Sequence, residues 1–120
     1  MTKQEIFNKV WKWFITDKHP QSRDIRGCKY RTKDSACAVG CLIPDELYEP
    51  TMEGRGVNGL LMHYPKLQKV LGYDVDLAFL KILQSTHDHY ADVLTQPEDF
   101  LTKFGRSMAG IAQEHKLKIP

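Results

Sequence analysis

All three cysteines of this chain fall in one stretch, GCKYRTKDSACAVGCLIP, at positions 28, 37 and 41. Thiols so placed could do two kinds of chemistry. As thiolates they could hold a soft metal, which for zinc means sulfur at about 2.3 Å from the ion. One thiolate beside a histidine could instead act as a nucleophile. His63, His87 or His89 could complete the metal set, and His87 or His89 could serve the nucleophile. The metal arrangement meets a spacing problem. The pattern C-x8-C-x3-C contains no CxxC pair. Cys37 and Cys41 would stand about 13 Å apart along a continuous strand. They share an ion only if the chain bends at Gly40. The nucleophile arrangement also lacks a local motif. In THDHY, His87 and His89 flank Asp88 but point to different sides of a helix. They read as a polar helix end, favoured there by the helix dipole. The thiols therefore read as small buried hydrophobes. A metal module built from Cys28, Cys37, Cys41 and one histidine stands as the alternative. A cysteine-dependent hydrolase or transferase stands behind it.

A second cluster surrounds the first. Lys18, Arg23, Arg26, Lys29, Arg31 and Lys33 lie in sixteen residues that contain one acid, Asp24. The plain interpretation is a solvated loop with lysine guarding an exposed edge. The sharper one is a surface for an anion or an acidic partner, gripped by the planar forks of arginine. Arg55 sits in EGRGVNG, a glycine loop entering a helix, which matches neither phosphate-loop pattern. The ligand- or partner-binding residues expected are Arg23, Arg26, Tyr30, Arg31 and Arg55. No residue is assigned as catalytic or metal-binding, and no cofactor is expected.

These side chains need elements to position them. Thr2 and Glu5 form a T-x-x-E capping box, followed by Ile6, Phe7, Val10, Trp11 and Phe14 at helical spacing. That helix should end near Asp17. CKYR and ACAV flank the polar turn TKDS and predict a two-stranded hairpin with Arg31 opposite Ala36. Cys28, Tyr30, Cys37, Val39 and Cys41 would then share its inner face, with Lys29 and Arg31 outward. Pro44 and Pro50 bracket a turn or short helix. Val57, Leu60, Leu61 and Tyr64 mark a short helix, and Pro65 to Gly72 frame another. Asp74 or Asp76 caps a third segment through Leu77, Leu80, Ile82 and Leu83. Thr95, Pro97 and Glu98 open the last helix, whose stripe is Phe100, Leu101, Phe104, Met108, Ile111 and Ala112. The tail KLKIP should fray. The prediction is an α+β fold: residues 1–120 as a mostly helical single domain with one small β-hairpin.

Composition narrows the function classes. A chain of 120 residues can bury a core without staples. A net charge of +2 gives no global attraction for duplex nucleic acid. No run nears the roughly 20 apolar residues that a membrane helix needs. The first residues lack the pattern of a signal peptide, and an odd cysteine count suits a reducing compartment.

The segments CKYR, CAVGCLIPDELYEPTMEGRGV and LQSTHDHY resemble a small uncharacterised family of bacteriophage and bacterial proteins, over roughly Phe7 to Tyr90. CAVGCLIPDELY and MEG are the core of the resemblance. It implies a cytoplasmic phage accessory protein and carries over no catalytic roles. Such proteins often counter host defence. The expectation is a non-enzymatic protein that binds a host protein or sequesters an anionic, nucleotide-like ligand.

Overall fold

A computed structural model describes residues 1–94 and 96–120; Thr95, expected to help open the last helix, lies outside them. Among the described residues the chain forms five α-helices and one two-stranded antiparallel hairpin, a mostly helical α+β arrangement. Helix α1 (Lys3–Trp11) begins at the capping box: the Thr2 hydroxyl accepts from Glu5 N–H, and the Glu5 carboxylate accepts from Thr2 N–H at 3.0 Å. A π-helical turn, Lys12–Thr16, carries it on to Asp17. Strands β1 (Arg23–Asp24) and β2 (Gly27–Cys28) follow, then three 3-10 turns at Gly40–Leu42, Asp45–Leu47 and Pro50–Met52. Helices α2 (Val57–His63) and α3 (Pro65–Leu71) form a corner that ends at Gly72 with φ 99°. Asp76 caps α4 (Leu77–Val93), and α5 (Pro97–Glu114) closes the fold.

The hairpin is not where the residue pattern puts it. It forms one turn earlier, with Arg23 opposite Cys28 and Asp24 opposite Gly27. The expected pairing of Arg31 with Ala36 is present, but only as an isolated bridge. Two features stop it from growing. The Tyr30 N–H, which a partner strand would use, is taken by the Glu53 carboxylate at 2.8 Å, and the same carboxylate accepts from Arg31 N–H at 3.1 Å. Beyond Cys37 the chain coils, with Cys41 N–H on the Cys37 carbonyl at 2.9 Å. At Gly40 it passes so close to Tyr30 that a Cβ would lie 1.9 Å from the Tyr30 carbonyl oxygen. Only glycine fits there.

One hydrophobic core runs from Ile6 to Ala112. Its centre is aromatic: Phe14 meets Phe104 edge-on with centroids 4.9 Å apart, and Phe100 stacks on Phe104 at 5.4 Å. Along α5, Phe100, Phe104, Met108, Ile111 and Ala112 are buried, as the stripe predicts, with Leu101 half-buried. The tail does not hang free. Lys116 turns the chain back with φ 56°, and the Gln4 amide then holds both the N–H and the carbonyl of Lys118, at 2.9 and 2.8 Å.

Candidate functional site

The bend that spoils the longer hairpin builds a cleft. Glu53 is its anchor, accepting from Tyr30 N–H, Arg31 N–H and the Tyr48 hydroxyl, the last at 2.6 Å. Burial, with the bond to Glu53 and its charge, pushes the Tyr48 phenol up to about 12. The Tyr30 hydroxyl donates to the Arg55 carbonyl at 2.6 Å. Burial pushes its pKa above the ordinary range. The Glu53–Gly56 loop is thereby tied to the Cys28–Tyr30 segment, and α4 supplies the opposite wall through Lys81, Gln84, Ser85 and Asp88. The cleft between them has a volume of about 400 Å³.

Behind this wall lies His87, which is fully buried. The expectation of a polar helix end was wrong here. His87 sits within α4 and packs against Phe14, Phe100 and Phe104, with centroids 5.4 to 6.4 Å away. Its Nε2 accepts from Ser22 N–H at 3.1 Å. That nitrogen therefore carries a lone pair, and the ring proton is on Nδ1, which donates to Asp88 Oδ1 at 2.9 Å. The same carboxylate oxygen accepts from Gln84 at 2.8 Å, and the Gln84 carbonyl accepts from Val39 N–H at 2.9 Å. One side-chain network thus ties Ser22, just before β1, to α4 and the Gly40 turn.

This geometry decides what the thiols can do. Cys28 Sγ, a His87 nitrogen and an Asp88 oxygen lie within 4.8 Å of one another, the one such group of metal-ligating types among the described residues. It does not suit an ion, because both His87 nitrogens are already engaged and neither offers a free lone pair. Cys37 and Cys41 are not part of that group. The chain does bend at Gly40, so the separation expected of an extended strand does not apply, but the Cys41 thiol is engaged with the Ala38 carbonyl at 3.1 Å. Burial, followed by the charges of Asp88 and Asp92, pushes the Cys28 thiol up to about 12. Burial also raises Cys41 to about 12 and holds Cys37 well above the ordinary thiol value. None of the three has the depressed pKa of a nucleophilic cysteine. His63 ends α2, and the exposed His89 packs edge-on against Tyr90.

The five expected binding residues are dispersed. Tyr30 and Arg55 come together at the cleft, where Lys29 joins them. Arg55 Nε donates to the Thr51 carbonyl at 3.1 Å, and its guanidinium lies over the Tyr64 ring. Arg31 faces a separate hollow. It bonds Asp45 at 2.6 Å and the Ile43 carbonyl at 2.5 Å, with its guanidinium over the Tyr48 ring. Arg23 caps the end of α4 through the carbonyls of Ala91 and Asp92, at 3.1 and 3.3 Å. Arg26 stands at the exposed hairpin turn. Sequence reasoning missed Glu53, Lys81 and Asp88 as wall residues. A signal for Lys81 was available: it lies seven residues before Asp88 on one helix, two turns away on the same face.

Comparison of the chain with family models, with curated proteins and with solved structures finds no match.

Proposed function

We propose that this chain is a non-enzymatic binding protein that holds an anionic ligand of nucleotide size in the cleft between the Glu53–Gly56 loop and α4. The observation that carries this is an imbalance in how the cleft's charges are used. Glu53 and Asp88 accept internal hydrogen bonds from neutral donors and keep their charge, but three cations, Lys29, Arg55 and Lys81, line the same cleft. Lys29 and Lys81 form no ion pair among the described residues. Two uncommitted cations in a cleft of about 400 Å³ suit a phosphate-bearing small molecule, since pockets for such ligands run from roughly 300 to 1,000 Å³. The raised thiols and the fully bonded His87 support binding without turnover. The resemblance of the CAVGCLIPDELY segment to phage proteins supplies the setting for the proposal: a protein of the host cytoplasm that removes a nucleotide signal.

The test is a calorimetric titration of cyclic and linear nucleotides and of inorganic phosphate, with the parent and with Lys29→Glu/Lys81→Glu. Both lysines lie at the surface of the cleft, so the fold should survive. At least one nucleotide should bind the parent, and the double variant should bind it more than about tenfold more weakly, a loss of roughly 1.4 kcal/mol. Affinity should also fall with added salt. Equal binding by parent and variant at low salt, or no binding across the panel, would remove the cleft as the site.

A further inference from the structure

The short hairpin is built more rigidly than two two-residue strands require. Its loop is only Ile25 and Arg26, closed by Arg26 N–H on the Asp24 carboxylate at 2.8 Å. Its base is fixed to Ser22, whose carbonyl accepts from Lys29 N–H at 3.0 Å and whose hydroxyl donates to the Lys29 carbonyl at 2.7 Å. Arg23 bolts it to the end of α4. What this mount presents is Ile25, 99% exposed. A single exposed apolar side chain is ordinary on a protein surface. This one stands at the tip of a fixed projection, between the carboxylate of Asp24 and the guanidinium of Arg26. Arg26 forms no ion pair among the described residues.

A hollow of matching chemistry lies elsewhere in the same chain. Between the turns at Asp45–Leu47 and Pro50–Met52 and the α2–α3 corner is a groove of about 520 Å³. Leu47, Tyr64 and Pro65 supply its accessible apolar surface, over the buried Met52 and Leu67. Glu46 and Glu49, from the turns, and His63 and Lys66, from the α2–α3 corner, are exposed residues of its lining. Glu46, Glu49 and Lys66 form no ion pairs among the described residues. The tip offers an acid, an apolar side chain and a base; the groove offers bases, apolar surface and acids.

We propose that the Asp24–Arg26 tip of one molecule docks in the Glu46–Leu67 groove of a second copy. Ile25 meets the apolar surface, Arg26 meets Glu46 and Glu49, and Asp24 meets Lys66. The contact is heterologous, because each molecule gives its tip to one neighbour and its groove to another. Its small area makes it a weak, concentration-dependent association, and its charges make it salt-sensitive. It is independent of the ligand cleft, whose lysines take no part.

Sedimentation velocity over a concentration series tests this on the full chain. The parent should rise in mass above 13.9 kDa as concentration increases into the millimolar range. Ile25→Asp/Arg26→Glu disables the tip, and Glu46→Lys/Glu49→Lys disables the groove. All four positions are exposed, so each variant should keep the parent's melting temperature. Each alone should stay monomeric. Mixed, they retain one intact tip and one intact groove and should form a one-to-one dimer that grows no further. A parent that remains monomeric throughout overturns the proposal. So does association that persists in either variant alone, or a mixture that fails to pair.

Discussion

Glu53 ties the Tyr30–Arg31 segment and Tyr48 to its own loop, and replacing it should be correspondingly costly. Its two oxygens accept three bonds: Oε1 from Tyr30 N–H, and Oε2 from Arg31 N–H and the Tyr48 hydroxyl. Glu53→Gln preserves size and leaves one oxygen. With that oxygen in the Oε2 position, the amide nitrogen faces the Tyr30 N–H, donor against donor. One bond to a charged acceptor is lost, and a part-buried donor is stranded. Bonds to charged groups contribute roughly 1.5–3 kcal/mol each, so the substitution should cost about 2–3 kcal/mol. Glu53→Ala strands all three donors and should cost about 3–5 kcal/mol. Urea unfolding followed by tryptophan fluorescence measures both. A double-mutant cycle sharpens the claim. Tyr48→Phe should cost about 1–2 kcal/mol in the parent and nearly nothing in the Glu53→Ala background. A Glu53→Gln loss of less than about 0.5 kcal/mol, the size of an ordinary surface change, would show that the carboxylate does not hold the cleft wall.

Three further outcomes follow from the packing and the thiols. Phe104→Ala, which opens the aromatic centre beside Phe14 and Phe100, should lower unfolding free energy by about 3–5 kcal/mol; a loss under about 1 kcal/mol would make α5 peripheral. Gly40→Ala drives a methyl into the Tyr30 carbonyl, so the variant should be largely unfolded by circular dichroism, and a native melting temperature would refute the close approach. Cys28 and Cys41 rise from an ordinary 9.0 to about 12 on folding, so the unfolded chain loses these protons first; stability should be full below about pH 9 and fall as pH climbs towards 12, and a flat urea midpoint across that window would contradict the burial of the thiols.

The parts of this fold legible in the sequence are those set by neighbours along the chain. Thr2 and Glu5 announce the first helix because a capping box closes over three residues. Gly72 ends α3 because its positive φ is a local need. The stripe of α5 needs only the helical period. Strand alternation puts Tyr30, Cys37 and Val39 inside, where they are, but Ala36 and Ala38 are buried as well and Cys28 and Cys41 only half so, because the chain coils there instead of running as a strand. Contacts from far along the chain were not legible. The hairpin moved because Glu53, more than twenty residues away, took the Tyr30 N–H that a partner strand would have used. His87 looked like a surface residue because its partner, the Ser22 N–H, lies 65 residues earlier. The basic cluster looked like one surface because arginines adjacent in sequence were assumed adjacent in space. Arg31 turns instead to Asp45 and Arg23 to the end of α4, which leaves Lys29 to meet Lys81 across the cleft.

The cleft between the Glu53–Gly56 loop and α4 is the proposed anion site. Its most direct test is an amide chemical-shift titration of the parent protein with the tightest-binding nucleotide of the panel. Saturable shifts should concentrate at Lys29, Gly54, Arg55, Lys81 and Ser85 and leave Arg26 and the Glu46–Leu67 groove unmoved. Shifts confined to the hairpin tip or that groove, or none at all, would contradict it.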